Sequence, residues 1–572
     1  MLFVLCLLSL ISRAILIYAA PEVKVGHTTF VGRDITSLQQ DFFGGIPYAE
    51  PPVGNLRFQP PILKDTYDEE TFDASQLGPA CLQFNMTLGV TSEDCLILNV
   101  LRPANISAHM SLPVLFWVHG GGFDRGSSRD NNGSAIVARS VQRGTPIVFV
   151  SINYRLGAFG FPQGKEAEDK GRLNLALKDE LTALEWVHKH IGKFGGDKHK
   201  VTIGGVSAGA IMNAVLFLHP DITKFVRAGV SSKSTSFMQM FIYGYQIFES
   251  GSAATPLTHT APFRQHSWDQ FVSSVPACAS LAGTDNTFDC LVDADITDLL
   301  EGINASREFA IEDFPWDPTL DGLGGIYPDY PSVLFQRRQF ARIPFVAGTN
   351  LDEGTVFVDP LVNFTNEVVR DSLYRNFSTP FLERFEKQKL ESSIERLMEL
   401  YPDDPSLGSP FGTGDETFGL SPGFKRMSAI LGDVAFTSQR RFWQQKMAEI
   451  PFSGVKSYGY LWKQGTLQRA LFPEFGVSHG SDSHYFFNDT LVDTQTVGAL
   501  ECGTSLMDYF LSFIDGLDPN DGRGIQRPNW SQYSEHNQVI MQMVASNITE
   551  IPDTFRKRQI DFINSLPDIF HH

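Results

Sequence analysis

The stretch VTIGGVSAG, residues Val201 to Gly209, decides the fold of this chain. Its apolar part, Val201–Val206, is typical of a buried parallel strand, and the apolar run Ala210–Leu218 is predicted to be a helix. Between them, G-x-S-x-G puts a serine on a tight, strained turn, where bulky side chains two residues away on either side would collide. Strand, turn and helix together predict that Ser207 is an exposed nucleophile.

Other apolar runs that end in turn residues are predicted to be buried strands of the same sheet. They are Pro113–Val118, Pro146–Ile152, Ile343–Ala347 and Val455–Trp462. Apolar side chains recur at steps of three and four from Leu177 to Ile191, which predicts an amphipathic helix and, with the strands around it, a right-handed βαβ unit. The expected fold class is α/β, with a mostly parallel central sheet flanked by helices and a site at the carboxyl ends of the strands.

The segment His119-Gly120-Gly121-Gly122-Phe123 directly follows the predicted strand Pro113–Val118. Successive glycines let backbone N–H groups approach a substrate oxygen closely, and such donors stabilise the oxyanion of a tetrahedral intermediate. The N–H of Ala208, next to Ser207, would be a further donor. A purely structural glycine turn is the alternative, but the position of the segment upstream of the serine turn favours an oxyanion hole.

His479 is predicted to be the base for Ser207. It follows the strand Val455–Trp462 in a loop with glycines on both sides, which permit an exposed and aimed imidazole. His484 is its nearest rival, but it adjoins Tyr485–Phe487 and is expected to pack among those rings.

The partner acid is predicted from the order serine, acid, histidine along the chain. Glu353 lies just past the strand Ile343–Ala347 and is the candidate, with the adjacent Asp352 as the runner-up. A carboxylate there would hold the tautomer of His479 and stabilise its imidazolium form.

Charge and composition exclude several classes of function. The net charge is −19, from 46 basic and 65 acidic residues that are scattered along the chain. Nucleic acids and anionic membranes both attract basic surfaces, so neither is an expected partner. No linker, repeat or low-complexity segment divides the 572 residues, and the hydrophobic content of 42% suffices for a large core. Residues 21–572 are therefore expected to form a single large domain with long insertions.

The amino-terminal segment predicts secretion. Met1–Ala20 is mostly apolar, and the run Leu2–Ile11 has the length of a signal-peptide core, too short to span a bilayer. An uncleaved membrane anchor is the alternative, and no stable anchor is expected. Sequons for N-glycosylation, which fit a secretory route, occur at Asn85, Asn105, Asn132, Asn304, Asn363, Asn376, Asn488, Asn529 and Asn547.

The cysteines outside the signal segment include two pairs that are close in sequence, Cys81 with Cys95 and Cys278 with Cys290. Disulfides closing such short loops would each contribute roughly 3 kcal/mol in the chain-entropy model. Cys502 is left over and is predicted to be a buried free thiol, with a reactive thiol as the alternative.

These motifs together resemble the type-B carboxylesterase/lipase family, which includes the cholinesterases and the Candida rugosa-type fungal lipases. The resemblance runs from about Val23 to the carboxyl terminus. Besides the segments quoted above, it rests on Pro51–Phe58, Ser92–Val100, Asn153–Gly157, Phe194–Asp197, Asn350–Gly354, Gly408–Phe411, Phe424–Asp433 and Gly516–Asn520.

The resemblance implies an α/β-hydrolase fold and assigns several residues. It implies a triad of Ser207, Glu353 and His479, with Glu353 rather than Asp352 as the acid. The residues implied as oxyanion donors are Gly121, Gly122 and Ala208. It also implies both disulfides and two ion pairs that belong to the scaffold rather than to catalysis, Arg57 with Glu93 and Arg155 with Asp179.

The sequence departs from the family pattern at two places. The family usually has Glu before the nucleophile, and Val206 stands there, so a carboxylate close to the site is missing. Only residues 82–94 lie between Cys81 and Cys95, where the fungal lipases have a longer flap over the active site. We therefore expect an open site that needs no oil–water interface for activation.

The function that these observations predict is that of a secreted serine carboxylic ester hydrolase, which acts on apolar esters through an acyl-enzyme. Neither a metal nor an organic cofactor is expected, and the sequence leaves the oligomeric state open. Glyceride lipase, sterol esterase, hydroxycinnamoyl esterase and amide hydrolase are alternatives on the same fold, and a non-catalytic cholinesterase-like binding protein is the alternative from another class. The segments predicted to line the pocket are Phe237–Tyr245, Phe309–Trp316 and Phe411–Phe418.

Overall fold

The computed structural model describes residues 20–106, 109–226, 245–308, 314–378, 384–450 and 455–571. Nearly all of the predicted signal peptide Met1–Ala20 lies outside the described residues. The same holds for most of the predicted pocket segment Phe237–Tyr245 and for the first part of Phe309–Trp316.

The strands of the described residues are numbered in chain order. They are β1 (Glu22–Val25), β2 (Thr28–Val31), β3 (Arg33–Ile35), β4 (Gln40–Pro47), β5 (Thr71–Asp73), β6 (Ala80–Cys81), β7 (Thr91–Ser92), β8 (Ile97–Pro103), β9 (Leu112–Val118), β10 (Val148–Ile152), β11 (Gly196–Val206), β12 (Tyr245–Glu249), β13 (Phe345–Asn350), β14 (Ser457–Trp462), β15 (Val539–Met543) and β16 (Thr549–Pro552).

The α-helices of the same residues are numbered in the same way. They are α1 (Ser134–Gln142), α2 (Gly157–Gly160), α3 (Gly164–Asp169), α4 (Leu175–His190), α5 (Ala208–Phe217), α6 (Gln265–Ser273), α7 (Phe288–Asp293), α8 (Ile296–Glu308), α9 (Pro331–Gln336), α10 (Asn366–Phe377), α11 (Arg384–Leu400), α12 (Pro422–Gly432), α13 (Ser438–Ala448), α14 (Gln468–Leu471), α15 (Ser481–Phe487), α16 (Ala499–Gly516) and α17 (Lys557–Asn564). Across these ranges, no helix is long and apolar enough to cross a membrane.

One 11-stranded sheet organises the fold, in the order β16-β15-β14-β13-β12-β11-β9-β10-β8-β4-β3. All neighbours from β15 to β10 pair in parallel, whereas β16 and the strands β8, β4 and β3 pair antiparallel. The predicted mostly parallel sheet is confirmed, and all five predicted strands are present as β9, β10, β11, β13 and β14. The predicted helix is α4, which connects β10 to β11 across β9, since both strands pair with β9.

The sheet is covered on both faces. On one face, α4 and α5 pack with residues such as Phe116 and Ile203, and on the other face α15 and α16 pack with Trp117 and Tyr460. Successive side chains of a strand point to opposite faces, so a strand buried on both faces must be apolar throughout. This explains why the parallel strands are continuous apolar runs in the sequence.

The predicted covalent and ionic scaffold is present. Cys81 is bonded to Cys95 and Cys278 to Cys290, with Cα–Cα distances of 5.0 and 5.8 Å. Cys502 is a buried free thiol, and burial raises its pKa to about 12, so it is not a reactive thiolate.

Both predicted ion pairs form in buried positions. Arg57 donates from Nη2 to Glu93 at 2.8 Å, and Arg155 donates from Nη2 to Asp179 at 2.6 Å. Arg57 also donates to three backbone carbonyls at residues 291, 292 and 294, so it fastens the amino-terminal region to the end of α7.

Helix α4 carries a buried carboxyl group without a partner. Glu180 is 0% exposed and neither of its oxygens has a hydrogen-bond partner within the described ranges. Burial raises its pKa well above the ordinary value. Because the folded state then holds a proton that the unfolded chain releases, stability falls as the pH rises from the unfolded pKa toward the folded one, by about 1.4 kcal/mol per pH unit.

We expect Glu180→Gln to remove this pH-dependent cost. Its melting temperature should exceed that of the wild type by a margin that grows from pH 5 to pH 8, at roughly 1 °C for each kcal/mol in a domain of this size. Differential scanning calorimetry of both proteins across this pH range measures the margin. A margin that stays constant with pH would mean that the carboxyl group does not titrate between these limits.

Candidate active site

Ser207 occupies the sharp turn between β11 and α5. Its φ and ψ are 55° and −126°, a combination that costs a non-glycine residue about 1–3 kcal/mol. A side chain at Gly209 would bring its Cβ to 2.2 Å from the carbonyl oxygen of Val118, so only glycine fits there. The N–H of Ser207 donates to the carbonyl of Glu249 on β12 at 2.9 Å, which holds the turn against the next strand.

The glycine segment after β9 lies against the serine turn. A Cβ at Gly120 would be only 3.0 Å from Cβ of Ser207. Ala208 is the first residue of α5, so its N–H has no acceptor within the helix. Gly121 and Gly122 follow with φ values of 117° and 61°.

His119 anchors this glycine segment without being charged. Its ring stacks on Tyr154 with the ring centroids 4.4 Å apart, and Tyr154 Oη donates to the His119 carbonyl at 2.9 Å. Nδ1 donates to the carbonyl of Gly120 at 2.7 Å, and burial lowers the pKa of His119 to about 4. The ring is therefore neutral at pH 7 and serves as a rigid support.

Glu353 and His479 form a hydrogen-bonded pair. Nδ1 of His479 lies 2.7 Å from Oε2 of Glu353. The other oxygen, Oε1, accepts from Oγ of Ser250 and from the backbone N–H of Asn350, both at 2.6 Å. With Nδ1 directed at the carboxylate, Nε2 of His479 is the free base, and it is buried with no hydrogen-bond partner in the described part of the chain.

Contacts through β12 bring this pair to the serine turn. Ser250, which donates to Glu353, directly follows Glu249, whose carbonyl accepts from Ser207. A Cβ at Gly251 would be 2.8 Å from the carbonyl oxygen of Ser207. Ser207, Glu353 and His479 thus lie around the end of one strand.

Asp352, the runner-up acid, has a structural role. Its carboxylate accepts from Ser409 Oγ, Phe411 N and Val477 N at 2.8 to 2.9 Å. Its own N–H donates to the carbonyl of Val477 at 3.0 Å, so the acid loop and the histidine loop hold each other.

His484, the rival base, pairs with a carboxylate at the surface. Its Nδ1 lies 2.6 Å from Oδ2 of Asp489, and the side chain is 29% exposed. The expectation that it packs among the neighbouring aromatic rings is therefore wrong, because its position in α15 places it beside the surface carboxylate of Asp489.

Aromatic side chains line the space around His479. Phe357 and Phe436 lie 5.0 and 4.8 Å from its ring, measured between centroids. Phe314 is 5.8 Å from Phe357, and a Cβ at Gly122 would be 2.5 Å from its ring. The site therefore has an apolar wall that reaches from the base to the glycine segment.

Two of the three predicted pocket segments can be compared with this wall. Phe314 belongs to the predicted segment Phe309–Trp316 and contributes to the wall. Phe411, in the third predicted segment, packs instead against Phe555 at 5.6 Å.

Sequence reasoning missed a buried polar network behind Glu353. Asn350 donates from Nδ2 to Ser250 Oγ and to Asp482 Oδ1, both at 2.9 Å. Tyr460 donates to Asp482 Oδ2 at 2.6 Å. Sequence reasoning could not pair them, because Asn350 bonds to residues 100 and 132 positions away.

Comparisons with known proteins identify the family and the fold of this chain. The model of the carboxylesterase family matches residues 19–563. Secreted lipase 1 of Botryotinia fuckeliana is 32% identical over 96% of this chain and 94% of that protein. Secreted triacylglycerol lipase LIP1 of Gibberella zeae is 32% identical over 95% of this chain and 90% of its own length. The crystal structure of Aspergillus niger EstA covers 97% of this chain and 99% of that one with a TM-score of 0.80 and 24% identity, which shows a shared fold.

Proposed function

Since this chain belongs to the carboxylesterase family, we propose that Ser207, His479 and Glu353 are the catalytic triad of its ester hydrolysis. The protein is a carboxylic ester hydrolase with the α/β-hydrolase fold. The observation that carries the proposal is the 2.7 Å contact between Glu353 and Nδ1 of His479, with Nε2 buried and unpartnered in the described residues.

In the first half of the reaction, Ser207 Oγ attacks the ester carbonyl while Nε2 of His479 takes its proton. The negative charge of Glu353 stabilises the imidazolium that forms. His479 then gives the proton to the leaving alkoxide, so the alcohol departs and the acyl group stays on Ser207. In the second half, water attacks the acyl-enzyme with His479 again as the base, and the acid is released.

The oxyanion of each tetrahedral intermediate is held by backbone N–H groups. We assign this role to Gly121, Gly122 and Ala208, because the glycine segment lies against Ser207 and Ala208 opens α5. Losing one such donor typically costs about 10²–10³ in rate. The positive end of the α5 dipole adds to the same stabilisation.

The substrate is an ester with an apolar acyl or alcohol part. The wall of Phe314, Phe357 and Phe436 supports this assignment, since it excludes water and has no charge to pair with a polar substrate. Glyceride hydrolysis is a second candidate, which the names of the lipase relatives favour.

Secretion is part of the proposal, with Met1–Ala20 as a cleaved signal peptide and residues 21–572 as the catalytic domain. The names of the secreted relatives support it. All the predicted sequon asparagines except Asn304 are exposed. Asn304 is half-buried, and its Oδ1 accepts the backbone N–H of Asn85 at 2.9 Å, so it is the least suited of them to carry a glycan.

Hydrolysis of p-nitrophenyl esters from acetate to palmitate tests both the substrate class and the expectation that the active site is open without a lid. The loop between Cys81 and Cys95 is too short for a full lid, so we expect the rate to follow simple saturation through the solubility limit of each ester, with a change below about twofold at that limit. An abrupt rise there would show that a lid opens at an interface. No hydrolysis of any ester in the series would contradict the assigned triad.

A further inference from the structure

Glu249 is the last residue of β12 and stands directly beside Val206, the residue before the nucleophile. In the parallel sheet, Val206, Glu249, Gly348 and Tyr460 are in register on four consecutive strands. Residues in register on parallel strands point to the same face. Glu249 therefore belongs to the same face as Tyr460 and helix α15.

The carboxyl group of Glu249 is buried without a strong partner. Its exposed fraction is 0%, and neither oxygen has a hydrogen bond of good geometry within the residues described. Burial and the nearby negative charge of Asp482 raise its pKa well above the ordinary value, and the hydroxyl of Ser483 acts in the opposite direction only weakly. The protonated form of such a carboxyl group can donate a hydrogen bond, which the ionised form cannot.

Gly348, the register neighbour of Glu249, leaves room for Tyr460, which belongs to the polar network. A Cβ at Gly348 would lie 1.8 Å from the ring of Tyr460, so the tyrosine ring occupies the space above the glycine. From there, Tyr460 donates to Asp482, which also accepts from Asn350. Asp482 is thus both a neighbour of Glu249 and a member of the hydrogen-bonded network behind Glu353.

The network continues to the base in three hydrogen bonds. Asn350 donates to Ser250, Ser250 donates to Glu353, and Glu353 pairs with His479. Any displacement of Asp482 is passed to Glu353 through Asn350.

We propose that Glu249 is a positioning residue for the hydrolysis, whose buried carboxyl group in its protonated form supports Asp482 and takes the place of the carboxyl that Val206 leaves absent on the adjacent strand. The proposal rests on the proposed triad and deepens it. The ionisable groups that face Glu249 are Asp482 and Tyr460, with Glu353 and His479 beyond them. A neutral group here holds Asp482 without adding a second negative charge beside the base.

Moving the carboxyl group from position 249 to position 206, its register partner on the adjacent strand, tests the proposal. Glu249→Val should lower kcat roughly 10- to 100-fold, the factor for one hydrogen bond to a charged group, with KM unchanged. The double variant Val206→Glu with Glu249→Val should recover most of this loss, because it restores a carboxyl group on the adjacent strand. Kinetics on p-nitrophenyl butyrate and melting temperatures are measured for each variant.

Glu180 provides the matched control, as a second buried and unpartnered glutamate on the opposite face of the sheet. Glu180→Val removes the same kind of buried carboxyl group and should leave kcat unchanged. An equal loss of kcat in both valine variants, or wild-type kcat in Glu249→Val, would overturn the positioning role.

Glu249→Gln decides the question even if Glu249→Val does not fold. Glutamine keeps a neutral donor of the same shape, so kcat and the acid limb of the pH profile should match those of the wild type. A shift of the acid limb to lower pH would mean that Glu249 is ionised in the wild type, and the proposal would be wrong. Failure of the triad itself is distinguishable, since Ser207→Ala would then remain active.

Discussion

Ser207→Ala should lower kcat on p-nitrophenyl butyrate by about 10⁶, the cost of removing the nucleophile from a triad. Without Oγ no acyl-enzyme can form, and the remaining rate comes from water attacking a substrate held by the oxyanion donors. Stopped assays over many hours with highly purified enzyme are needed to measure so slow a rate. Mass spectrometry of the wild type quenched during turnover should show the acyl group on the peptide that contains Ser207.

Ser207→Gly is the matched control for folding. It should be equally inactive, but more heat-stable than Ser207→Ala, because glycine adopts the φ of 55° at this turn without strain. Wild-type activity in either variant would remove Ser207 from the mechanism. A loss of activity together with a collapse of the melting temperature in both would show only that the turn is needed for folding.

Glu353→Gln should lower kcat by about 10⁴, the loss seen when the acid of a triad becomes an amide. All three groups around the carboxylate donate to it, namely Ser250 Oγ, Asn350 N and Nδ1 of His479. An amide must turn its NH₂ toward one of these donors, so it breaks the network or reverses the tautomer of His479. Kinetics across the pH range measure the loss.

The adjacent carboxylate supplies the control for this variant. Asp352→Asn replaces a buried acceptor of three hydrogen bonds with an amide whose NH₂ group cannot accept, so the change should reduce the melting temperature. Its kcat should fall far less than that of Glu353→Gln. The reverse order of the two losses would make Asp352 the acid and contradict the proposed triad.

Most of the candidate site residues were predicted from local sequence motifs. The serine turn, the glycine segment and the glycine-bracketed histidine are each encoded by a few consecutive residues whose backbone conformation demands those residue types. The choice of Glu353 over Asp352 came from the family resemblance. Its physical basis lies in tertiary contacts of the two side chains. Asp352 has three donors of its own, whereas Glu353 has a free oxygen for His479.

The residues that the sequence did not reveal lie on elements without a clear periodic signal. Strand β12, YQIFE, carries buried Gln246 and Glu249 among its apolar residues, so it lacks the continuous apolar run of the other parallel strands. Ser250 and Glu249 were missed together with it. The antiparallel strand β4 contains two glycines and a register irregularity between Phe43 and Ile46, features that argue against a strand in a sequence.

The two hydrogen bonds between Asp352 and Val477 fix the loop that carries Glu353 relative to the loop that carries His479. Val477 precedes His479 by two residues and Asp352 precedes Glu353 by one, so the distance between the catalytic partners is fixed by a short bridge rather than by the length of the chain that joins them. Substitutions, insertions or deletions between β14 and Gly476 can therefore remodel the rim of the site without disturbing the proton path. Such a design lets the substrate range of a hydrolase diverge while its chemistry stays constant.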